Sequence, residues 1–528
     1  MRAISKPAWG LAAASGILQA LVFPQPSLAF LSWVALAPLL LALAPKGKQG
    51  EASPSETVES LSPMQGFLLG YASGVIWYLG SCYFIFHVMH KYGGLPAPVA
   101  AVLLALFCLY LALYHGVFGA LFVLLARTPA LGGGRAIALA PVLWVAVELA
   151  RTRVTGIPWN LLGTAQVDNI PLARLATVTG VYGVSFAIVL VNAAFAVAFL
   201  LPRARRRVMQ VAAVGAALAL QAGVLAKPEP AAATHMAVLV QQNLPTDDSV
   251  AWTAEKFAAT LDDFRALSRS GAEQASLPRE PRLIVWPESP APFFGVDPNF
   301  RRPVSALAVE TGAWVLTGNL GTRPSAQRER DSEVLNSASM VSPQGEWTAR
   351  YDKIHLVPFG EYVPFQKLLG FARALTSEVG DFARGSERTV FTLDGKKLAV
   401  FICYESIFPD EVRQFAAGGA QAFVNISNDG WFGETGAPGQ HLNMARMRAI
   451  ENRRWVLRAT NTGITASIDP DGRVVARAER NQRLALPAPY AFVSGTTLYT
   501  RHGDWFAYAC AIIAVAATLV AARWRRRT

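Results

Sequence analysis

The strongest constraint on this chain is a set of apolar stretches too long for the interior of a soluble domain. Eight of them, approximately 8–24, 27–45, 65–89, 97–126, 136–150, 175–201, 208–226 and 505–522, read as membrane spans. A helix needs about 20 apolar residues to cross the hydrocarbon of a bilayer. Composition agrees, since 52% of the 528 residues are apolar and only 16% are charged. The first stretch runs almost directly into the second and shows no small-residue cleavage site. It reads as a retained span rather than a signal peptide.

Charge in the loops sets the expected orientation. Arg2, Lys6, Lys46, Lys48, Arg127, Arg135, the run Arg203, Arg205, Arg206 and Arg207, and the terminal Arg523, Arg525, Arg526 and Arg527 fall on one side, which is then cytoplasmic. Lys91, Arg151, Arg153 and Arg174 fall on the other. The net charge of +12 is therefore topogenic, because the arginines cluster at the ends of apolar stretches rather than forming a nucleic-acid surface. Eight spans put both termini in the cytoplasm and the polar segment on the outer face of the membrane. The expected organisation is a transmembrane domain, 1–227, a polar domain, 228–503, and a last span within 504–528. The loop Lys46 to Ser62, rich in Ser, Glu and Gly, is expected to be flexible. The loop Thr155-Gly-Ile-Pro-Trp-Asn-Leu-Leu-Gly163 is apolar and turn-forming, and reads either as part of a lipid entry route or as a re-entrant packing loop.

The polar segment alternates strand and helix signals. Met236–Gln241, Arg282–Trp286, Trp314–Asn319, Leu398–Ile402 and Gln421–Ile426 are expected strands. Ala254–Ser268, Glu411–Ala417 and Pro438–Asn452 are expected helices. Ser337–Ser342 and Glu346–Tyr351 flank the turn Pro343-Gln-Gly345, and Thr465–Ile468 and Arg473–Ala478 flank Asp469-Pro-Asp-Gly472, so both read as hairpins. Hairpins argue for a mixed sheet of α+β type and against a doubly wound parallel sheet. The chain contains no GxGxxG, no Walker motif, no HExxH and no internal repeat.

Of four cysteines, Cys82, Cys108 and Cys510 lie in apolar stretches and only Cys403 lies in the polar segment. No two share C-x-x-C spacing, so neither a zinc site nor a redox motif is indicated. Cys403 leaves a short buried strand just before a helix start marked by Ser406, Pro409 and Asp410. Such an elbow holds a nucleophile rigidly near backbone N–H groups, although a lone cysteine is more often a buried structural residue. Two further polar residues end expected strands, Glu288 in Trp286-Pro-Glu-Ser289 and Lys353 in Tyr351-Asp-Lys-Ile-His-Leu356. A carboxylate can take the thiol proton, and an ammonium can favour a thiolate and then stabilise an oxyanion. Taken singly, a surface Glu, a surface Lys and a buried Cys are the commoner readings. His355 and His441 invite a Cys–His pairing that this arrangement does not need.

These motifs together, with Ile402-Cys-Tyr-Glu-Ser-Ile-Phe-Pro-Asp410, Asn425-Ile-Ser-Asn-Asp-Gly-Trp-Phe-Gly433, His441-Leu-Asn-Met-Ala-Arg-Met-Arg448 and Arg458-Ala-Thr-Asn-Thr-Gly463, resemble the nitrilase superfamily. With the spans, they resemble more narrowly the apolipoprotein N-acyltransferases, over nearly the whole chain. The resemblance implies an αββα sandwich and a triad of Glu288 as base, Lys353 and Cys403 as nucleophile. It implies transfer of an sn-1 acyl chain from a phospholipid, typically phosphatidylethanolamine, through a Cys403 thioester to the N-terminal amine of a diacylglyceryl apolipoprotein. No cofactor or metal is implied. Glu361 matches a glutamate that holds the lysine, and the Tyr404 N–H a natural oxyanion donor. Glu405 is expected to orient Glu288 or Lys353, or to cap the next helix indirectly. Trp252, Trp431 and Phe432 fall on expected substrate or lid loops. A membrane-tethered amidase hydrolysing a small amide shares the triad but gives the spans no purpose. A catalytically dead scaffold leaves the three triad residues unexplained.

Overall fold

The computed structural model describes residues 3–45, 61–129, 134–226, 228–246, 252–274, 282–289, 291–324, 332–362 and 382–527. They divide into two compact units. One comprises residues 1–86, 98–227 and 502–528, the other residues 87–97 and 228–501.

The first unit is helical. Among the described residues, four of its helices are long and apolar enough to cross a membrane, Ala97–Ala126, Val181–Leu200, Arg205–Leu225 and Trp505–Trp524. A fifth is reached if the bent pair Pro63–Ser81 and Phe84–Tyr92 counts as one. The remaining expected spans are shorter or interrupted. The first is the helix Lys6–Val22. Stretch 27–45 breaks into a 3-10 turn, Ala29–Trp33, and the short helix Ala37–Leu43. The buried side chain of Asn192 repairs that break. Its Oδ1 accepts from the N–H of Leu36 at 2.8 Å and of Ala37 at 3.0 Å, while its Nδ2 donates to the carbonyl of Ser32 at 2.8 Å. Pro38 sits in the first turn, where it needs no N–H partner. Stretch 136–150 divides into Gly134–Ala138 and Ala140–Ala150.

Arg151 is not the loop charge that its sequence position implies. The helix ending at Ala150 continues into a π turn, Arg151–Thr155, and Arg151 is only 2% exposed. Its Nη1 donates to the hydroxyl of Tyr78 at 3.0 Å, and its guanidinium lies 5.6 Å from the ring of Trp77. The loop Thr155–Gly163 is a packing loop within this unit, with Trp159 buried and its ring 5.0 Å from that of Phe84. Most of the loop 46–62 lies outside the described residues. Its last residue, Ser62, caps the helix Pro63–Ser81 through a reciprocal pair with Gln65.

Among the described residues, the second unit holds twelve strands: β1 His235–Gln241, β2 Leu283–Val285, β3 Trp314–Pro324, β4 Ser332–Val341, β5 Trp347–Asp352, β6 Val390–Leu393, β7 Lys396–Ile402, β8 Ala422–Ser427, β9 Val456–Thr460, β10 Ala466–Ile468, β11 Val474–Arg477 and β12 Leu484–Tyr490. They form two six-stranded sheets, β12-β1-β2-β3-β4-β5 and β11-β10-β9-β8-β7-β6. The expected hairpins are the antiparallel pairs β4–β5 and β10–β11. Parallel pairing, β1–β2–β3 and β7–β8–β9, makes each sheet mixed.

Period-two burial explains the layers. In β1, Ala237 and Leu239 join a core shared by both sheets, whereas Val238 and Val240 pack under Leu261 and Phe264 of the helix Ala254–Gln274 and Val304 and Leu307 of the helix Pro298–Thr311. The run Leu398-Ala-Val-Phe-Ile402 of β7 is buried on both faces, with Val412 and Phe415 of the helix Pro409–Ala417 in the same core. A sheet covered on both sides needs such uninterrupted apolar strands.

Replacing Asn192 by Leu keeps side-chain volume but strands the Leu36 N–H and the Ser32 carbonyl in the interior, each at a cost of about 1–3 kcal/mol, and leaves the Ala37 N–H only its 3.2 Å bond to the Val34 carbonyl. The expected outcome is a clearly lowered midpoint of thermal unfolding for the detergent-solubilised protein. An unchanged midpoint contradicts the capping role.

Candidate active site

Two sheet edges supply the site. β1, β2 and β3 run parallel, β4 reverses, and β5 runs parallel to them again. The chain therefore leaves β2 toward Glu288 and leaves β5 toward Lys353 at the same edge of the first sheet. In the second sheet β7, β8 and β9 are parallel and deliver Cys403, Asn428 and Asn461 to one edge. Carboxyl ends of parallel strands are where such sheets build sites. At Gly318 of β3, a Cβ would lie 2.7 Å from the Ser289 nitrogen and 2.8 Å from the Glu288 Cα, so only glycine lets β3 pass the glutamate.

The Lys353 ammonium is buried between two carboxylates. Its Nζ is 3.2 Å from Glu288 Oε1 and 2.8 Å from Glu361 Oε1, and its side chain is 1% exposed. Asn336, in the middle of β4, donates through Nδ2 to the same two oxygens at 2.7 and 2.8 Å. The second oxygens accept from backbone. Glu288 Oε2 takes the N–H of Asn428 at 2.8 Å, and Glu361 Oε2 that of Val357 at 2.8 Å. Burial pulls the lysine pKa down, but the Glu288 and Glu361 carboxylates outweigh it and hold the ammonium well above its ordinary value.

Cys403 occupies the left-handed backbone region, with φ +49°, and is 8% exposed. Non-glycine residues pay roughly 1–2 kcal/mol there and persist only where their surroundings fix them. Burial pushes the thiol pKa up, the Glu288 carboxylate pushes it further, and Lys353 opposes both without prevailing. These influences favour the protonated thiol over the lysine-stabilised thiolate expected from residue types alone.

Glu405 does something other than expected. It neither bonds Glu288 or Lys353 nor caps the following helix. Its Oε1 accepts from the hydroxyl of Tyr351 at 2.7 Å and the N–H groups of Ile354 and His355 at 2.7 and 3.1 Å, and its Oε2 from the N–H of Ile402 at 2.7 Å. The fully buried carboxylate thus ties the Lys353 loop to the end of β7. Four backbone and hydroxyl donors engage both of its oxygens, and none of the four belongs to the triad. The ring of Tyr404 packs edge-on against Phe408 at 5.2 Å.

Neither histidine pairs with the thiol through a hydrogen bond. His355 stacks on Phe408 at 4.3 Å and meets Glu411 at 3.2 Å. His441 is wholly buried, and its Nε2 lies 3.0 Å from the carbonyl oxygen of Cys403. Its Nδ1 lies 3.0 Å from Asp429 Oδ1 and 3.1 Å from Arg458 Nη2, while Arg458 also donates to Asp429 Oδ2 at 2.6 Å. Burial raises the Asp429 pKa, and Arg458 and His441 overcome it, leaving the carboxyl well below its usual range. A Cβ at Gly463 would lie 2.6 Å from the Asp429 Cβ, so the glycine makes room for this acid.

The loop aromatics have partners within this unit. Trp431 packs edge-on against Tyr92 at 5.5 Å, and Phe432 against His441 at 5.9 Å. Trp252 precedes the helix Ala254–Gln274, with Lys256 4.5 Å from its ring centroid, and packs on the helix-side core rather than in the core containing Cys403. Sequence reasoning missed Asn336, because an amide in mid-strand carries no motif, and gave no role to Asp429 or Arg458. Among the described residues, no group of three or more His, Cys, Asp or Glu is placed to hold a metal ion.

Comparison with known proteins gives the following similarities. Residues 15–194 match the family model of the apolipoprotein N-acyltransferase N-terminal domain, and residues 237–487 that of the carbon-nitrogen hydrolases. An apolipoprotein N-acyltransferase of Geobacter metallireducens is 36% identical, covering 100% of this chain and 97% of its own. One of Methylococcus capsulatus is 35% identical, covering 94% and 92%. Among solved structures, a variant amidase from Nesterenkonia sp. AN1 in complex with acrylamide is 18% identical, covering 54% of this chain and 99% of its own, with a TM-score of 0.37.

The charges around the thiol give two opposite expectations. Glu288→Gln removes an anion that raises the thiol pKa, so alkylation of Cys403 by iodoacetamide at neutral pH should quicken, on the order of tenfold per unit of pKa. Lys353→Met removes the opposing cation and should slow it. Lys353→Met should also cost about 3–5 kcal/mol of stability, because it leaves two carboxylates buried without their cation. Rates are compared at a temperature where each variant remains folded. Changes of the same sign in both variants contradict this electrostatic account.

Proposed function

The chain belongs to the apolipoprotein N-acyltransferases, and on that premise we propose that Cys403 carries an acyl chain from a phospholipid to the amine of a lipoprotein precursor. The donor gives its sn-1 chain and is typically phosphatidylethanolamine. The acceptor is the N-terminal α-amine of a diacylglyceryl-cysteine apolipoprotein. The observation that carries this reading is a cysteine at the end of β7 whose thiol feels the charges of Glu288 and Lys353, a carboxylate and a buried ammonium 3.2 Å apart.

Glu288 is the base. As Cys403 Sγ attacks the ester carbonyl, Glu288 takes the thiol proton, so no free thiolate accumulates. The oxyanion that forms is stabilised by the Lys353 ammonium and the Tyr404 N–H. Collapse breaks the ester C–O bond. The leaving lysophospholipid alkoxide receives the proton from Glu288, and Cys403 holds the chain as a thioester. The α-amine then attacks the thioester, Glu288 accepts its proton, and the C–S bond breaks with return of that proton to sulfur. Glu361 and Asn336 hold Lys353 and Glu288 in register throughout. Trp431 and Phe432 act as a lid that keeps water from the thioester, and Trp252 contacts substrate from the adjacent loop.

In this reading the chain has eight spans with both termini cytoplasmic, in a bacterial inner membrane. Residues 1–227 and 504–528 are the membrane part. Residues 228–503 form an αββα sandwich on the periplasmic face, where the amine of an exported lipoprotein is found. An amidase of small soluble substrates remains the second reading only if hydrolysis outruns transfer.

Incubation with phospholipid alone should add one fatty-acyl mass to Cys403, and a diacylglyceryl peptide should then remove it as an amide. Cys403→Ala should gain no adduct, and Glu288→Gln should form it at least about a hundredfold more slowly. Intact-protein and peptide mass spectrometry reads both steps. Absence of any adduct, or its release only as free fatty acid, contradicts the proposal.

A further inference from the structure

We propose that His441 is a positioning residue for the oxyanion hole, acting through the peptide that joins Cys403 to Tyr404. This rests on the acyltransferase reading, in which the Tyr404 N–H stabilises the oxyanion. A peptide unit is planar, with its C=O and N–H pointing in opposite directions. A hydrogen bond that fixes the Cys403 carbonyl therefore also fixes the aim of the Tyr404 N–H. His441 Nε2 makes that bond at 3.0 Å, from a side chain with no exposure.

The proton on Nε2 follows from the partners. A backbone carbonyl can only accept, so Nε2 carries a hydrogen whatever the charge of the ring. Nδ1 is provided for in either state. It donates to Asp429 Oδ1 at 3.0 Å if protonated and accepts from Arg458 Nη2 at 3.1 Å if bare. Asp429 is itself held by Arg458 Nη2 and by the Ser427 hydroxyl, at 2.6 and 2.7 Å. The ring is thus locked from behind, as an orienting group locks a metal-bound or catalytic histidine.

The backbone needs this anchor. Cys403 sits at φ +49°, where a cysteine does not rest unaided. Glu405 fixes the residue before it through the Ile402 N–H, and His441 fixes the carbonyl after it. Donation into the carbonyl also polarises the amide and strengthens the N–H on its far side.

The test compares two rates at Cys403 in the detergent-solubilised full-length protein. One is acylation by phospholipid, which needs an oxyanion hole. The other is alkylation by iodoacetamide, which does not. In His441→Phe, acylation is expected to fall about a hundredfold, the order seen when one oxyanion donor is lost. Alkylation should stay within about twofold of wild type, and the phospholipid KM should barely move. The pair His441→Gln and His441→Asn keeps the test decisive if the Phe variant does not fold. A glutamine amide reaches the place of Nε2 and should restore most of the acylation rate. An asparagine amide reaches only the place of Nδ1 and should not. Wild-type acylation in His441→Phe, equal loss of both rates, or equal rates for the Gln and Asn variants overturns the inference. Wild-type protein that takes no acyl chain overturns the acyltransferase reading beneath it.

Discussion

The second unit depends on one buried ammonium. An isolated charge in such an interior is prohibitively costly, so Lys353 can be there only with Glu288 and Glu361 beside it. Those carboxylates in turn need donors for their remaining oxygens, which the Asn336 amide and the N–H groups of Asn428 and Val357 supply. The demand reaches across both sheets. Asn336 belongs to β4 and Asn428 follows β8, so the ion cluster is satisfied only when the two sheets face each other in register. Charge satisfaction and fold are here the same requirement.

The same cluster sets the state of the nucleophile. A cysteine beside a bare lysine would ionise, but this lysine is already matched by two acids. What the thiol meets is burial and a net anionic neighbour, and both favour its protonated form. That suits an enzyme of the proposed kind, because a permanent thiolate would invite oxidation and disulfide exchange. The strained elbow at Cys403 complements it. Glu405 and His441 bond the backbone on either side, so the residue is held in place by hydrogen bonds that leave the sulfur available.

Much of this was legible in the sequence for physical reasons. A strand covered on both faces must be apolar throughout, and Leu398–Ile402 announces β7 by that rule. The turn residues of Pro343-Gln-Gly345 and Asp469-Pro-Asp-Gly472 announce both hairpins. Glu288, Lys353 and Cys403 are visible as polar residues ending such strands, and Glu361 follows from the family resemblance. Long-range hydrogen bonding was not legible. Nothing local to Glu405 shows that its donors Tyr351, Ile354 and His355 lie in the Lys353 segment, and nothing local to Asn336 shows that its amide will bridge two acids. The breaks within the apolar stretches were not legible for the same reason. Hydropathy sees stretch 27–45 as continuous, but Asn192, far along the chain, accepts the N–H groups that let it break. Arg151 was read as a loop charge because its cage of Trp77 and Tyr78 comes from another helix.

The central claim is that the nucleophile rests as a thiol and is deprotonated only as it attacks. The most direct measurement is an ultraviolet titration of thiolate absorbance in the full-length protein, taken as the difference between wild type and Cys403→Ser. The account predicts no Cys403 thiolate anywhere in the neutral range, with the signal appearing only in strongly alkaline solution. A thiolate already present at neutral pH would contradict it.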